Sequence, residues 1–245
     1  KDYESSKYKT DESSIYYVLT NNSELSTGVK LVIGGGVLRI GEMAISQTNL
    51  TIVTIYDGVT EIGNNAFYNC NKLTSVTIPN SVTYIGGSAF FYCTRLTGIW
   101  VGKSNTAYSS DGNGVLFNKE KTELIKAPGR LNGAYAIPEG VTRIAAQSFF
   151  MCANLTSVTI PNSVTYIGGA FSMCTNLTSV VIPDGVTGIK ASTFSGCTNL
   201  TSVVIPDGVT SIALQAFYRT NLKNVYYRGS QTKWGAIYIE SGNEA

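Results

Sequence analysis

The chain has 245 residues, of which 43% are hydrophobic and only 14% are charged, so it can bury a sizeable core and is not a disordered linker. Its formal charge of +2 gives no broad electrostatic reason to expect a nucleic acid or an anionic membrane as a partner. The absence of histidine excludes Ser-His-Asp and Cys-His catalytic groups and every imidazole-ligated metal site. Because no apolar run approaches the roughly 18 residues that span a bilayer, we expect no membrane insertion.

The two ends of the chain differ from its middle. Residues 1–28 begin with a polar stretch, without the apolar core of a signal peptide, and include SSIYYVLT at 13–20, which is typical of a strand. We predict that 1–28 form an N-terminal cap and that 229–245 form a C-terminal cap. In the latter, Ser230 is the predicted N-cap of a helix and Trp234 is predicted to cover the end of the core.

Between the caps, leucine recurs at intervals of 22 or 23 residues, apart from one interval of 59. These leucines are Leu50, Leu73, Leu96, Leu155, Leu177, Leu200 and Leu222. A repeat of this length is typical of a leucine-rich-repeat solenoid, whose coils bury their apolar side chains by stacking on one another.

One repeat, LTSVTIPNSVTYIGGSAFFYC from Leu73, illustrates the predicted coil. Alternation through Val76 and Ile78 predicts a short strand with one buried face, and Pro79 ends it. A second apolar pair, Val82 and Ile85, predicts a second extended segment.

Phenylalanine and cysteine also recur once per coil. The phenylalanines, which we place inside the coil, are Phe67, Phe90, Phe149, Phe171, Phe194 and Phe217. Each of the five cysteines lies three residues before a leucine, and none forms a C-x-x-C pair. We therefore predict small buried residues in equivalent slots rather than a disulfide framework or a zinc site, although slots about 5 Å apart could bring neighbouring sulfurs within disulfide range.

The 59-residue interval contains one ordinary coil and one coil enlarged by an insertion at 104–128. Within it, VLF and ELI flank the polar NKEKT, a pattern that predicts a β-hairpin. Inserted loops commonly project from a scaffold and carry recognition, so we expect that this hairpin can contact a partner and can be deleted without unfolding the protein. Counting the strands from Ile33 to Tyr227 gives nine rungs over 29–228, in a single solenoid domain that spans 1–245.

The consensus Leu-x-x-Val-x-Ile-Pro-x-x-Val-x-x-Ile-Gly-x-x-Ala-Phe-x-x-Cys-x-x-Leu resembles the BspA-type, or Treponema-type, leucine-rich repeat of bacterial surface proteins. The insertion and the C-terminal cap resemble those common in the same family. The resemblance implies a mainly β, right-handed leucine-rich-repeat solenoid with short convex turns, 3-10 or helical segments. It also implies an extracellular or cell-surface location and a binding role often tied to adhesion, without naming a ligand.

Motifs that carry chemistry are incomplete in this chain. TGIWVGKS at 97–104 is one residue short of a P-loop, and Asp111-Gly-Asn113-Gly lacks the glutamate that closes a calcium loop. The carboxylates Glu61, Asp184 and Asp207 fall on repeat positions that a turn or a solvated face explains. We therefore expect no enzymatic activity, no cofactor and no metal.

A binding site in a solenoid is expected among outward residues that differ from coil to coil. The outward positions of the first strands are small, neutral and rich in hydroxyls, and we predict that the outward column of the second segments borders the same surface. Aromatic residues and arginine are enriched in binding hot spots. The candidate site is Trp100, Tyr84, Tyr166 and Arg143, with Thr77 and Thr159. In the competing interpretation, these residues merely suit a β-sheet surface and Trp100 packs beneath the hairpin.

The sequence thus predicts a non-enzymatic scaffold that binds a host or matrix protein or glycan outside a bacterial cell, with a monomer favoured. A carbohydrate-binding accessory module would use Trp100 and the tyrosines to stack on sugars. A structural spacer in a larger surface protein would bind nothing, and a hydrolase would need a pair of catalytic carboxylates.

Overall fold

The structure is a computed structural model that describes residues 10–11, 14–15, 29–34 and 36–243. Most of the predicted N-terminal cap, including all of 13–20 except Ser14 and Ile15, lies outside the described residues. The chain divides into two compact units, an N-terminal unit (1–110) and a C-terminal unit (111–245). That the whole chain forms a single domain stays a prediction.

Each coil begins with a strand that runs parallel to its equivalents, and we call these the first strands. In the N-terminal unit they form one four-stranded sheet of Val29–Ile33, Leu50–Ile55, Ser75–Ile78 and Gly98–Val101. In the C-terminal unit Gly133–Ala136 pairs with Leu155–Thr159, and a three-stranded sheet contains Ser179–Val181, Ser202–Ile205 and Asn224–Tyr227. Four and five first strands give nine rungs in the described part of the chain, which confirms the predicted solenoid.

A second, shorter strand follows in each coil, and these second strands form separate parallel sheets. The N-terminal unit has Ser14–Ile15, Arg39–Ile40, Glu61–Ile62 and Tyr84–Ile85, with Thr10–Asp11 antiparallel to the first of them. The C-terminal unit has Glu123–Lys126, Arg143–Ile144, Tyr166–Ile167, Gly188–Ile189, Ser211–Ile212 and Tyr238–Ile239. Ile62 and Ile144 of the second strands point into their coils, so the residues before them, Glu61 and Arg143, point outward.

A tight turn closes each coil and supplies a third set of contacts between coils. The amides of Asn65 and Phe67 donate to the carbonyls of Gly87 and Ala89, at 3.0 and 2.8 Å. Asn65 has a positive φ of 53°, a conformation that asparagine tolerates better than most residues. Inside the turns the phenylalanine rings stack, with centroids 5.4 Å apart for Phe67 and Phe90. The predicted internal phenylalanine column is therefore confirmed.

The five cysteines are buried and free of disulfides, as their slots predicted. Each thiol also donates a hydrogen bond to a carbonyl of the preceding coil, for example Cys93 to Phe67 and Cys197 to Phe171, both at 3.1 Å. In two turns that lack cysteine, Thr48 and Thr220 fill the slot, and their hydroxyls donate to the carbonyls of Ile45 and Phe217 in the same turn, at 3.1 and 2.8 Å. Cysteine and threonine in this slot thus both use a small side chain with a hydrogen-bond donor, the thiols towards the preceding coil and the hydroxyl towards its own turn.

Near the C-terminus the predicted N-cap Ser230 is confirmed, whereas the bounds of the predicted C-terminal cap, 229–245, stay a prediction. A short helix, Gln231–Gly235, begins after Ser230, whose hydroxyl accepts a hydrogen bond from the Lys233 amide at 3.2 Å. The Trp234 ring packs on Tyr227, with centroids 5.3 Å apart.

The insertion departs from its prediction in one respect. The hairpin forms, with Leu116–Asn118 antiparallel to Glu123–Lys126. Its return strand then pairs in parallel with Arg143–Ile144 and so acts as the second strand of a coil. Phe117 and Leu124 are fully buried in the core of the C-terminal unit. The expectation of a projecting, removable loop is therefore wrong, because deletion would expose that core.

Candidate ligand-binding faces

The outward side chains of the first strands form a surface that we call the strand face. In the N-terminal unit, Thr54, Thr77 and Trp100 lie in register on adjacent strands. Thr77 is exposed, and Trp100 keeps 40% of its surface exposed. The predicted outward orientation of both site residues is confirmed.

The position of the Trp100 indole depends on Gly98, two residues earlier in the chain. A Cβ atom on Gly98 would lie 2.5 Å from Cε2 of the Trp100 indole, so the indole rests over the glycine. Gly98 is consequently buried although it belongs to the outward column. The exposed ring therefore sits on a regular strand in a defined position, an arrangement that the sequence pattern did not predict.

The chain after this strand is fixed by a buried asparagine. The Asn105 side-chain amide donates to the carbonyls of Pro79 and Val82, at 2.8 and 2.9 Å. Its oxygen accepts from the amides of Ala107 and Tyr108, at 2.9 and 2.7 Å. The segment 97–104 thus consists of the strand Gly98–Val101 and a turn that is anchored by Asn105. The next element is a strand, and not the helix that a P-loop needs.

The outward residues of the second strands form the second-strand face. In the N-terminal unit its residues Arg39, Glu61 and Tyr84 lie in register, and Arg39 and Glu61 form an ion pair at 3.3 Å. Tyr84 follows them with 50% of its surface exposed.

In the C-terminal unit, the second-strand face carries a denser cluster. Glu123, Arg143 and Tyr166 lie in register, and Arg143 Nε lies 2.9 Å from Glu123 Oε1. The Arg143 guanidinium carbon is 4.0 Å from the Tyr166 ring centroid, and Lys190 Nζ is 5.7 Å from the same centroid. Sequence reasoning missed Glu123 and Lys190. Aligning Thr-Glu-Leu at 122–124 with Thr-Arg-Ile at 142–144 could have identified Glu123.

The six predicted site residues are thus distributed over four sheets. Thr77 and Trp100 are neighbours on one, and Arg143 and Tyr166 are neighbours on another. Tyr84 and Thr159, both exposed, each belong to a further sheet. That the second strands border the same surface as the first strands, and that the six residues act together, stays a prediction.

Asp111 has a structural role rather than that of a calcium ligand. Its Oδ1 accepts from the amides of Asn113 and Val115, both at 2.9 Å, and its Oδ2 accepts from the Tyr135 hydroxyl at 2.8 Å. Burial, together with this carboxylate, raises the pKa of Tyr135. In the part of the chain that the structure describes, no three acidic or cysteine side chains form a group that could hold a metal ion.

The other shifted groups are also explained by packing and pairing. An ion pair at 2.8 Å joins Lys233 to Asp207, and this ammonium lowers the pKa of the exposed carboxyl. Burial raises the pKa of Cys152 to about 11 and that of Cys197 to about 12. Such thiols stay protonated and unreactive near neutral pH. These groups stabilise the fold and supply no activated nucleophile.

Comparison with known proteins gives the family. A family model described as "BspA type Leucine rich repeat region (6 copies)" matches residues 20–128 and 133–241. The chain belongs to the BspA-type leucine-rich-repeat family. No curated protein matches the sequence. No helix of the described residues has the length and apolar character needed to cross a bilayer.

Several solved bacterial structures are similar to this BspA-type chain. A leucine-rich cell surface protein from Faecalibacterium prausnitzii is 34% identical with a TM-score of 0.72, over 87% of this chain and 63% of that one. The chain therefore spans less than two thirds of that relative. A leucine-rich repeat protein from Eubacterium ventriosum is 23% identical, with a TM-score of 0.61, over 80% and 72% of the two chains. The pneumococcal vaccine antigen PcpA is 18% identical, with a TM-score of 0.58, over 95% and 76%. The last two similarities concern the fold alone.

Proposed function

We propose that this protein is a non-enzymatic scaffold, displayed on or secreted from a bacterial cell, that binds a host or matrix protein or glycan in adhesion. Trp100 carries the proposal. Its indole is partly exposed, rests over Gly98 on a regular strand, and lies in register with the exposed Thr77. An aromatic ring that is already fixed loses little conformational entropy when a partner covers it. The similarity to a leucine-rich cell surface protein supports the location.

Binding of the whole chain to immobilised matrix proteins and mucin tests this proposal. Trp100→Ala should weaken binding by about 30-fold, the effect of losing a hot spot worth about 2 kcal/mol. Tyr218→Ala is the matched control, because Tyr218 is also aromatic and 39% exposed but lies in a turn. Unchanged affinity of a folded Trp100→Ala variant would refute the role of the strand face.

The Gly98→Ser variant tests whether binding needs the indole in its observed position or only its presence in the chain. The added Cβ would stand 2.5 Å from the ring, so Trp100 must leave its place while remaining in the chain. We expect weaker binding and a changed fluorescence of Trp100, measured in a Trp234→Phe background. Full affinity with a displaced indole would mean that its placement over the glycine is unimportant.

The exposed and fixed indole of Trp100 also favours one alternative, a carbohydrate-binding accessory module that stacks a sugar ring on Trp100. Competition by free sugar distinguishes a saccharide ligand from a protein ligand, since it would abolish binding to the first and spare binding to the second. A structural spacer would bind none of the immobilised ligands.

A further inference from the structure

Two cationic side chains converge on one aromatic ring in the C-terminal unit. Arg143 and Lys190 lie 4.0 and 5.7 Å from the Tyr166 centroid, within the range of cation–π attraction. Because both distances are measured to the same ring centroid, the two cationic groups lie within about 10 Å of each other. Salt at 0.1 M does not fully screen the repulsion between charges at this separation. Tyr166 thus holds together two like charges that repel each other.

The negative charge nearby does not balance this pair. Glu123 lies against Arg143, at 2.9 Å from Nε. Lys190 forms no ion pair with any residue that the structure describes. One of the two cations is therefore paired with a carboxylate and the other is not, and an added oxyanion close to both would relieve their repulsion.

The residues that precede Arg143 and Tyr166 in the chain, and the coil that follows Tyr166, offer hydroxyl groups. The exposed Thr142 and Thr165 donate their hydroxyl protons to carbonyls of the preceding coils, at 3.2 and 3.4 Å. Each hydroxyl oxygen keeps lone pairs that can accept from a ligand. In the next coil the outward position is Gly188, and a Cβ there would lie 2.8 Å from the Ser211 hydroxyl. The surface beyond Tyr166 therefore carries a hydroxyl in place of a large side chain.

We propose that Arg143 and Lys190, spaced by Tyr166, bind the carboxylate or sulfate group of an acidic saccharide. Such a ligand combines an oxyanion for the cations with hydroxyl donors for the row of threonines. A protein partner fits less well, because the cores of protein interfaces are apolar and the outward residues from 143 to 211 on this face are Arg143, Tyr166, Gly188 and Ser211. The proposal rests on the binding function above and names a ligand class for one face.

The N-terminal unit offers an internal comparison. There the neighbour of Tyr84 in register is Glu61, and Arg39 lies one coil further away. A carboxylate beside the ring disfavours an oxyanion, so the proposal predicts no acidic-saccharide site at Tyr84.

The test measures binding of the whole chain to a heparin-derived oligosaccharide, an oligogalacturonate and a neutral oligosaccharide of similar length. Arg143→Gln with Lys190→Gln should weaken binding of the acidic ligand at least about tenfold. Arg39→Gln with Lys103→Gln removes the same charge elsewhere and should change the affinity less than about twofold. Heparin binding alone would identify sulfate as the recognised group, and galacturonate binding alone would identify carboxylate.

Three outcomes would overturn the inference. Equal losses in the two double variants would indicate unspecific attraction, and equal binding of poly-glutamate would remove the saccharide from the proposal. Absence of binding to both acidic ligands would refute the site. Trp100-dependent binding to matrix or mucin, measured on the same samples, shows whether the proposed function survives such a failure.

Discussion

Replacing Asn105 by alanine tests how the chain after Trp100 is held. Asn105 is fully buried and makes four hydrogen bonds, to the carbonyls of Pro79 and Val82 and from the amides of Ala107 and Tyr108. Each bond contributes about 1 kcal/mol net, so Asn105→Ala should lower the free energy of unfolding by roughly 4 kcal/mol. At about 4 °C per kcal/mol for a unit of this size, melting should occur roughly 15 °C lower.

Circular dichroism during heating and urea denaturation would measure this loss, and hydrogen exchange of the Ala107 and Tyr108 amides would locate it. Asn80→Ala is the control, because the exposed Asn80 side chain accepts a single bond, from the Ser104 amide at 3.0 Å. It should cost about 1 kcal/mol or less. An Asn105→Ala variant no less stable than the control would refute the reasoning.

Three further predictions concern the core of the C-terminal unit. The buried Ser148 hydroxyl has no hydrogen-bond partner among the described residues, so Ser148→Ala should raise the urea midpoint by an amount equivalent to about 1–2 kcal/mol; an unchanged or lower midpoint would argue against it. Phe171 stacks between Phe149 and Phe194, with centroids 4.7 and 5.5 Å away, and Phe171→Ala should cost about 3–5 kcal/mol in the same assay. A loss below about 1 kcal/mol would contradict this packing. Burial raises the pKa of Cys152 to about 11 from its ordinary value of 9.0. The protonated Cys152 thiol therefore makes its full contribution to the free energy of unfolding below pH 9. That contribution is lost as pH rises towards 11, by about 1.4 kcal/mol per pH unit. Cys152→Thr should flatten this alkaline decline in unfolding experiments, and an identical decline would exclude the thiol as its source.

Features set by residues near one another in the chain were predictable. Pro79 ended its strand as expected, since proline has no amide to donate. Ser230 caps its helix because a serine oxygen can accept a bond from an amide three residues ahead. The thiol slots were predicted as buried, but their hydrogen bonds to the preceding coil were not, since that bond depends on how two coils stack.

The candidate site was only partly predictable for the same reason. Outward positions follow from the two-residue period of a strand, and Thr77 and Trp100 point outward accordingly. Lys190 lies 24 residues after Tyr166 in the chain and reaches its ring only because one coil stacks on the next. The repeat pattern of the sequence gave no reason to select Lys190 over the other exposed lysines.

By itself the sequence determined the period, the nine first strands and the columns of leucine, phenylalanine and cysteine, because identical units can bury these side chains only by stacking. The tertiary structure alone decided that the return strand Glu123–Lys126 joins the second-strand sheet and that the Trp100 indole rests over Gly98. Both depend on contacts between segments. The repeat leaves only a short trace of the first, in the likeness of 122–124 to 142–144, and no trace of the second.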